Sequence, residues 1–270
     1  MKYANKVVLM YDFDGTLAPG NMQEYSYMSD IVKMDKDVFW TKIANFGKKY
    51  NMDPILASMY GVLVVAEQKG KKLKRQDFVD MGKSVKLFNG VEEWFERINE
   101  YGKSKGLEVE HYIISSGQKE IIEGTSIAKH FKKIFASCFC YKNDIPFWPA
   151  QSVNYTMKTQ YIYRIRKNAI EDLYDSHSVN SKIVGDKIPY ENMIYFGDGD
   201  TDVPSMMTLK LYGGKSICVY NPEEPGKREK CRKLYLDRRT DEYAKADYSE
   251  GGKIDRLVKS MLDRIASYLN

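Results

Sequence analysis

The chain reads as an α/β protein: a doubly wound parallel sheet with an inserted α-helical domain. Short apolar runs recur along it, as the buried strands of a parallel sheet require, and stretches with helical spacing lie between them. Several runs end directly in acidic or hydroxyl-bearing turns, the place where such sheets keep their ligands. One long segment is instead rich in helix formers and poor in strand alternation, which sets it apart from the sheet.

Residues 7–10 form the first strand and run into Tyr11-Asp12-Phe13-Asp14-Gly15-Thr16. Pro19-Gly20-Asn21 is a hinge. Residues 21–87 make the inserted helical domain, leaving 1–20 and 88–270 as the α/β core. The core resumes at Phe88-Asn89-Gly90-Val91, and residues 91–98 carry apolar side chains at helical spacing before the breaks at Gly102 and Gly106. A second strand at 111–114 ends in Ser115-Ser116-Gly117, and a helix follows to about residue 133. The third strand covers 135–141, a loop covers 149–154, and the mixed aromatic, aliphatic and basic pattern of 158–174 predicts a helix with one face on the sheet. A fourth strand, 193–196, ends in Gly197-Asp198-Gly199-Asp200-Thr201-Asp202. A fifth covers 216–220, and an amphipathic helix over 254–269 closes the chain.

Composition narrows the function less than the motifs do. With 270 residues, 43% apolar and 29% charged, the chain can bury a sizeable core and has ordinary globular usage. Lys plus Arg exceed Asp plus Glu by 42 to 37, a bias that suits anionic substrates and is too small to demand nucleic acid. No run approaches the roughly 18 apolar residues of a membrane span, and the N-terminal apolar run is too short for a signal segment. Cys138, Cys140, Cys218 and Cys231 lack the spacing of a zinc site and read as core thiols of a reducing, cytoplasmic setting. His111, His130 and His177 show no metal spacing and read as structural or exposed. The basic runs 69–75 and 227–233 read as solvated faces, and the aromatics of the insertion as helix packing. Nothing in the pattern specifies an oligomeric state.

The chemistry gathers at two strand ends. Asp12-x-Asp14-Gly15-Thr16 offers one carboxylate to attack, one to shuttle a proton, and a place for a hard cation between them. The acids of 198–202 lie beside a buried strand, where they repel one another unless a cation joins them. The plainer alternative, solvated turns with aspartate caps, leaves the pairing of two acidic motifs unexplained.

These motifs, in this order, resemble the haloacid dehalogenase (HAD) superfamily of phosphohydrolases, and the insertion sits where members with a helical C1-type cap carry theirs. The resemblance implies that Asp12 is the nucleophile and Asp14 the general acid and base. It implies that Thr16, Ser115, Ser116, Gly117 and Lys158 meet the phosphoryl group, and that Asp12, Asp14, Asp198 and Asp202 surround Mg²⁺. Asp202 acts there either directly or by orienting Lys158 or a metal-bound water. Ser115 and Ser116 are alternatives for one contact. Dehalogenases of the superfamily lack the second aspartate, so its presence favours phosphoryl transfer. The expected function is Mg²⁺-dependent hydrolysis of a small phosphorylated metabolite through an aspartyl-phosphate, with no nucleic-acid or membrane partner. The rivals are a phosphomutase, a sugar-nucleotide transferase that leaves the second acidic motif unused, and a noncatalytic phosphate-binding regulatory module.

Overall fold

The computed structural model describes residues 5–181 and 187–269. Residues 1–4 and 270 of the expected core segments, with 182–186, lie outside the described residues. Strand β1 (Lys6–Tyr11) is buried throughout because both faces of the sheet are covered, which is why it reads as a continuous apolar run. It pairs in parallel with β2 (Glu108–Gln118) on one side and β5 (Met193–Gly197) on the other. With β3 (Phe131–Lys142), β4 (Ile145–Gln151), β6 (Lys215–Tyr220) and β7 (Glu242–Lys245), the order across the sheet is β4-β3-β2-β1-β5-β6-β7. Only the β3–β4 edge hairpin is antiparallel. The chain leaves β1 toward β2 and later returns to its other flank as β5, so the C-terminal end of β1 opens into the crevice where the winding reverses.

Among the described residues the α-helices are α1 (Lys36–Tyr50), α2 (Pro54–Gln68), α3 (Arg75–Gly82), α4 (Val91–Ser104), α5 (Lys119–Glu123), α6 (Met157–Arg166), α7 (Ser176–Asn180), α8 (Val203–Leu211), α9 (Lys227–Leu236) and α10 (Lys253–Ser267). Alternate residues of β1 serve opposite layers. Val7, Leu9 and Tyr11 join Trp94, Phe95, Val258 and Leu262 of α4 and α10, whereas Val8 and Met10 join Ile162, Met206 and Cys231 of α6, α8 and α9.

The inserted segment holds α1–α3. Asp35 and Asp53 start its first two helices by accepting from backbone N–H groups of the first turn, and Asn51 ends α1 in the left-handed region. Tyr27, Phe39, Ile43, Val62 and Phe78 form its interior, in one cluster with Phe13, Leu17 and the sheet's core. Helix α3 rests on α5 at Gly124, where a Cβ would lie 1.8 Å from Val79 O. Glycine there is a packing requirement.

Several expected elements differ. The helix expected to reach residue 133 ends at Glu123, because the chain must return as β3 from Phe131 to pair with β2. Part of the 149–154 loop is strand β4, whose Pro146 and Pro149 are tolerated because it lies at the sheet edge. The 158–174 helix stops at Arg166, followed by Asn168 at φ +53°. Strand β7, short and polar, had no apolar signal. Cys138 is a buried thiol and Cys140 a partly buried one. Cys218 and Cys231 are instead joined as a disulfide between β6 and α9, so the premise of a wholly reduced set does not hold for that pair. His111 is buried between Tyr11 OH and Asn99 Oδ1, 3.0 and 2.9 Å away, and burial pushes its pKa down to about 3. No helix among the described residues is long and apolar enough to cross a membrane.

Candidate active site

The ends of β1 and β5 are tied by Asp12 N–H donating to Phe196 O at 2.8 Å, which brings the two acidic motifs face to face. Asp12, Asp198 and Asp202 each present a carboxylate oxygen within 4.8 Å of the others. Gly15, at φ +72°, lets this approach happen, since a Cβ there would lie 2.6 Å from Asp198 Oδ2. Gly197 does the same for Asp202: a Cβ would meet its Cγ at 2.3 Å.

Lys158, fully buried at the start of α6, lies 3.0 Å from Asp12 Oδ2 and 2.6 Å from Asp202 Oδ1. Asp202, also fully buried, accepts in addition from Tyr195 OH at 2.8 Å and from the N–H groups of Asp198 and Gly199 at 3.1 and 3.3 Å. Both its oxygens are thereby doubly engaged, so it orients Lys158 and the acidic loop. Asp12 Oδ1 accepts from Phe13 N at 2.8 Å. Asp14 lines the same cleft but is outside the group of three acids, its Oδ1 accepting from Met22 N at 3.0 Å.

Ser115 is buried and its Oγ accepts from Gly117 N at 3.1 Å. Ser116 Oγ is buried without a partner among the described residues, and Ser115, Ser116 and Gly117 all line the cleft. Thr16 is fully buried, its carbonyl accepting from Tyr248 OH at 2.9 Å. The cleft is a cavity of about 1030 Å³, with Asp12, Asp14, Asp198 and the serines at its floor and Glu24, Trp40, Ile43, Met52 and Ile55 of the insertion as its roof.

Two lysines of the basic run 227–233, expected to be solvated, fold onto the acidic loop. Lys227 Nζ lies 2.8 Å from Asp198 Oδ2, and Lys230 Nζ lies 3.0 Å from Asp200 Oδ2. Nothing in the local pattern separates them from surface lysines. The roof is also joined to the core, since Asp53 Oδ2 accepts from Asn154 Nδ2 at 2.8 Å.

Four carboxylates, Asp12, Asp14, Asp198 and Asp202, stand against the ammonium groups of Lys158 and Lys227, leaving two negative charges. That excess pushes the carboxyl pKa values upward. Burial pushes Asp12 up to about 7, with Asp202 and Asp198 adding to it and Lys158 opposing. Burial and the Asp12 charge hold Asp14 well above the carboxylate range, and burial with Asp202 raises Asp198 against the pull of Lys227. Burial alone would lower Lys158, but Asp12 and Asp202 reverse this and raise it. A divalent cation taking hard carboxylate oxygens fits the donor set and offsets the remaining charge.

No family model matches the chain. An uncharacterized protein of Borreliella burgdorferi is 26% identical over 280 residues, covering 93% of this chain and 94% of the relative. A HAD-family hydrolase from Salmonella enterica subsp. enterica serovar Typhi superposes with a TM-score of 0.58 at 15% identity, over 94% of this chain and 71% of that one. A substrate-bound phosphoserine phosphatase gives 0.56 at 15% identity over 94% and 98%, and the phosphoserine phosphatase of T. onnurineus 0.52 at 14% over 97% of each. At these identities the likeness is one of fold.

Proposed function

We propose that this chain, which has the fold of the HAD-type hydrolases, is a Mg²⁺-dependent phosphohydrolase that takes a small phosphorylated metabolite through an aspartyl-phosphate on Asp12. The observation that carries the reading is the junction of β1 and β5. There Asp12 is braced by Lys158, grouped with Asp198 and Asp202, and followed two residues on by a cleft-facing Asp14 with a raised pKa.

In the first step an Asp12 oxygen attacks phosphorus, forming the acyl-phosphate bond as the ester P–O bond breaks. Asp14, whose carboxyl burial and the Asp12 charge hold above the usual range, is the group that would give a proton to the leaving oxygen. In the second step Asp14 takes a proton from water, the water oxygen attacks phosphorus, and phosphate leaves Asp12. Lys158 holds Asp12 in place and supplies positive charge beside it. Ser115, Ser116 and Gly117 line the cleft, and a serine hydroxyl there would donate to a phosphoryl oxygen. Asp12 and Asp198 would hold Mg²⁺, which would neutralise charge on the phosphoryl oxygens. The cavity, about 1030 Å³, suits a small-molecule substrate, and the helical roof would set its identity.

The test is a panel of phosphomonoesters assayed with Mg²⁺ and with EDTA, for wild type and Asp12→Asn. Turnover that requires the metal, is abolished in Asp12→Asn, and leaves a hydroxylamine-trappable acyl-phosphate on the wild type supports the reading. Turnover that persists in EDTA or in Asp12→Asn refutes it.

A further inference from the structure

Helix α9 closes a ring around the acidic loop. Its Cys231 is joined to Cys218 of β6, and Cys218 is the register partner of Gly197, the residue just before Asp198. From this anchored position Lys227 and Lys230, one turn apart on α9, reach back to Asp198 and Asp200. The two pairs are not equivalent. Asp200 is a solvated acid, its side chain 74% exposed, whereas Asp198 is 18% exposed and belongs to the group of three acids.

Asp198 has contacts besides Lys227. Its backbone N–H is held by Asp202 Oδ2 at 3.1 Å, and its carboxyl is packed against the bare Cα of Gly15. What Lys227 contributes is charge: an ammonium 2.8 Å from Asp198 Oδ2 and 3.6 Å from Glu224 Oε2, on the wall of the cleft. In a partly buried site such a charge is poorly screened, so it repels any second cation at the same carboxylate and attracts an arriving anion.

We propose that Lys227 is a tethered counter-ion of Asp198 that weakens divalent-cation binding there and strengthens phosphate binding in the cleft. This rests on the metal-dependent reading of the site. Lys227 is thus a charge-setting residue, separate from the group that attacks and the group that moves the proton.

The test is Mn²⁺ binding to the intact protein, followed by the loss of the free-ion electron paramagnetic resonance signal, for wild type, Lys227→Met, Lys227→Gln, Lys227→Arg and Lys230→Met. Inorganic phosphate inhibition is measured alongside, and circular dichroism checks that each variant is folded. Lys227→Met and Lys227→Gln are expected to bind Mn²⁺ at least about tenfold more tightly and phosphate several-fold more weakly, because a like charge beside the ion has been removed. Lys227→Arg and Lys230→Met are expected to stay within about threefold of wild type. Mn²⁺ affinity that is unchanged or weaker in both neutral variants overturns the proposal while leaving the metal-dependent reading intact. If neither wild type nor any variant binds Mn²⁺, the metal-dependent reading falls, and this proposal falls with it.

Discussion

Replacing Asp202 by asparagine probes the carboxylate that holds the site together from behind the cleft. The side chain is fully buried and accepts four hydrogen bonds: from Lys158 Nζ at 2.6 Å, Tyr195 OH at 2.8 Å, Asp198 N at 3.1 Å and Gly199 N at 3.3 Å. Asparagine keeps the volume, so no cavity contributes. It has only one acceptor oxygen, however. If that oxygen turns to Lys158 and Tyr195, its NH₂ meets two backbone N–H groups; turned the other way, it meets an ammonium and a hydroxyl. Either way Lys158, which has no solvent exposure, keeps Asp12 as its sole carboxylate partner among the described residues. Breaking one partner from a buried ion pair costs about 3–5 kcal/mol, in line with losing two charge-assisted bonds at about 1.5–3 kcal/mol each. Urea unfolding of wild type and Asp202→Asn in metal-free buffer reads the difference directly. A loss below about 1 kcal/mol at an unchanged m-value would refute the reasoning.

Two further outcomes follow from the geometry. A carboxyl held above its ordinary value favours the fold when protonated, so the contribution of Asp12 is present below its usual 3.8 and is lost as pH rises through about 7. The stability of metal-free wild type should therefore fall relative to Asp12→Asn between about pH 4 and 7, and unfolding curves that run parallel across that window would contradict this. On the roof, Asn154→Ala removes the donor to Asp53 while Asp53 continues to cap α2 at Ile55 N, 2.9 Å away. The expected cost is about 1 kcal/mol or less, with faster amide hydrogen exchange in the first turn of α2. Unchanged exchange there would show that the contact does not hold the roof.

The acidic strand ends were legible because each is local. An apolar run followed at once by Asp12-Phe13-Asp14 or Gly197-Asp198 carries its strand, its turn and its charge in a few adjacent residues. Strand β4 was hidden by its prolines, which matter only once the strand is known to be at an edge, and β7 by having no apolar pattern. The pairing of Cys218 with Cys231 depends on α9 folding back on β6, a tertiary event with no trace in their spacing.

Residue order alone was enough for the α/β alternation, the central buried strand and the two acidic turns, because burial on both faces and turn chemistry act over a few residues. Only packing of the chain decided that Lys227 meets Asp198 and that Asp202 stands behind Lys158. It also buried Thr16 completely. A lysine, an aspartate or a threonine has the same local pattern whether it faces water or a partner far along the chain; the burial and electric field that separate these cases exist only after the sheet has closed.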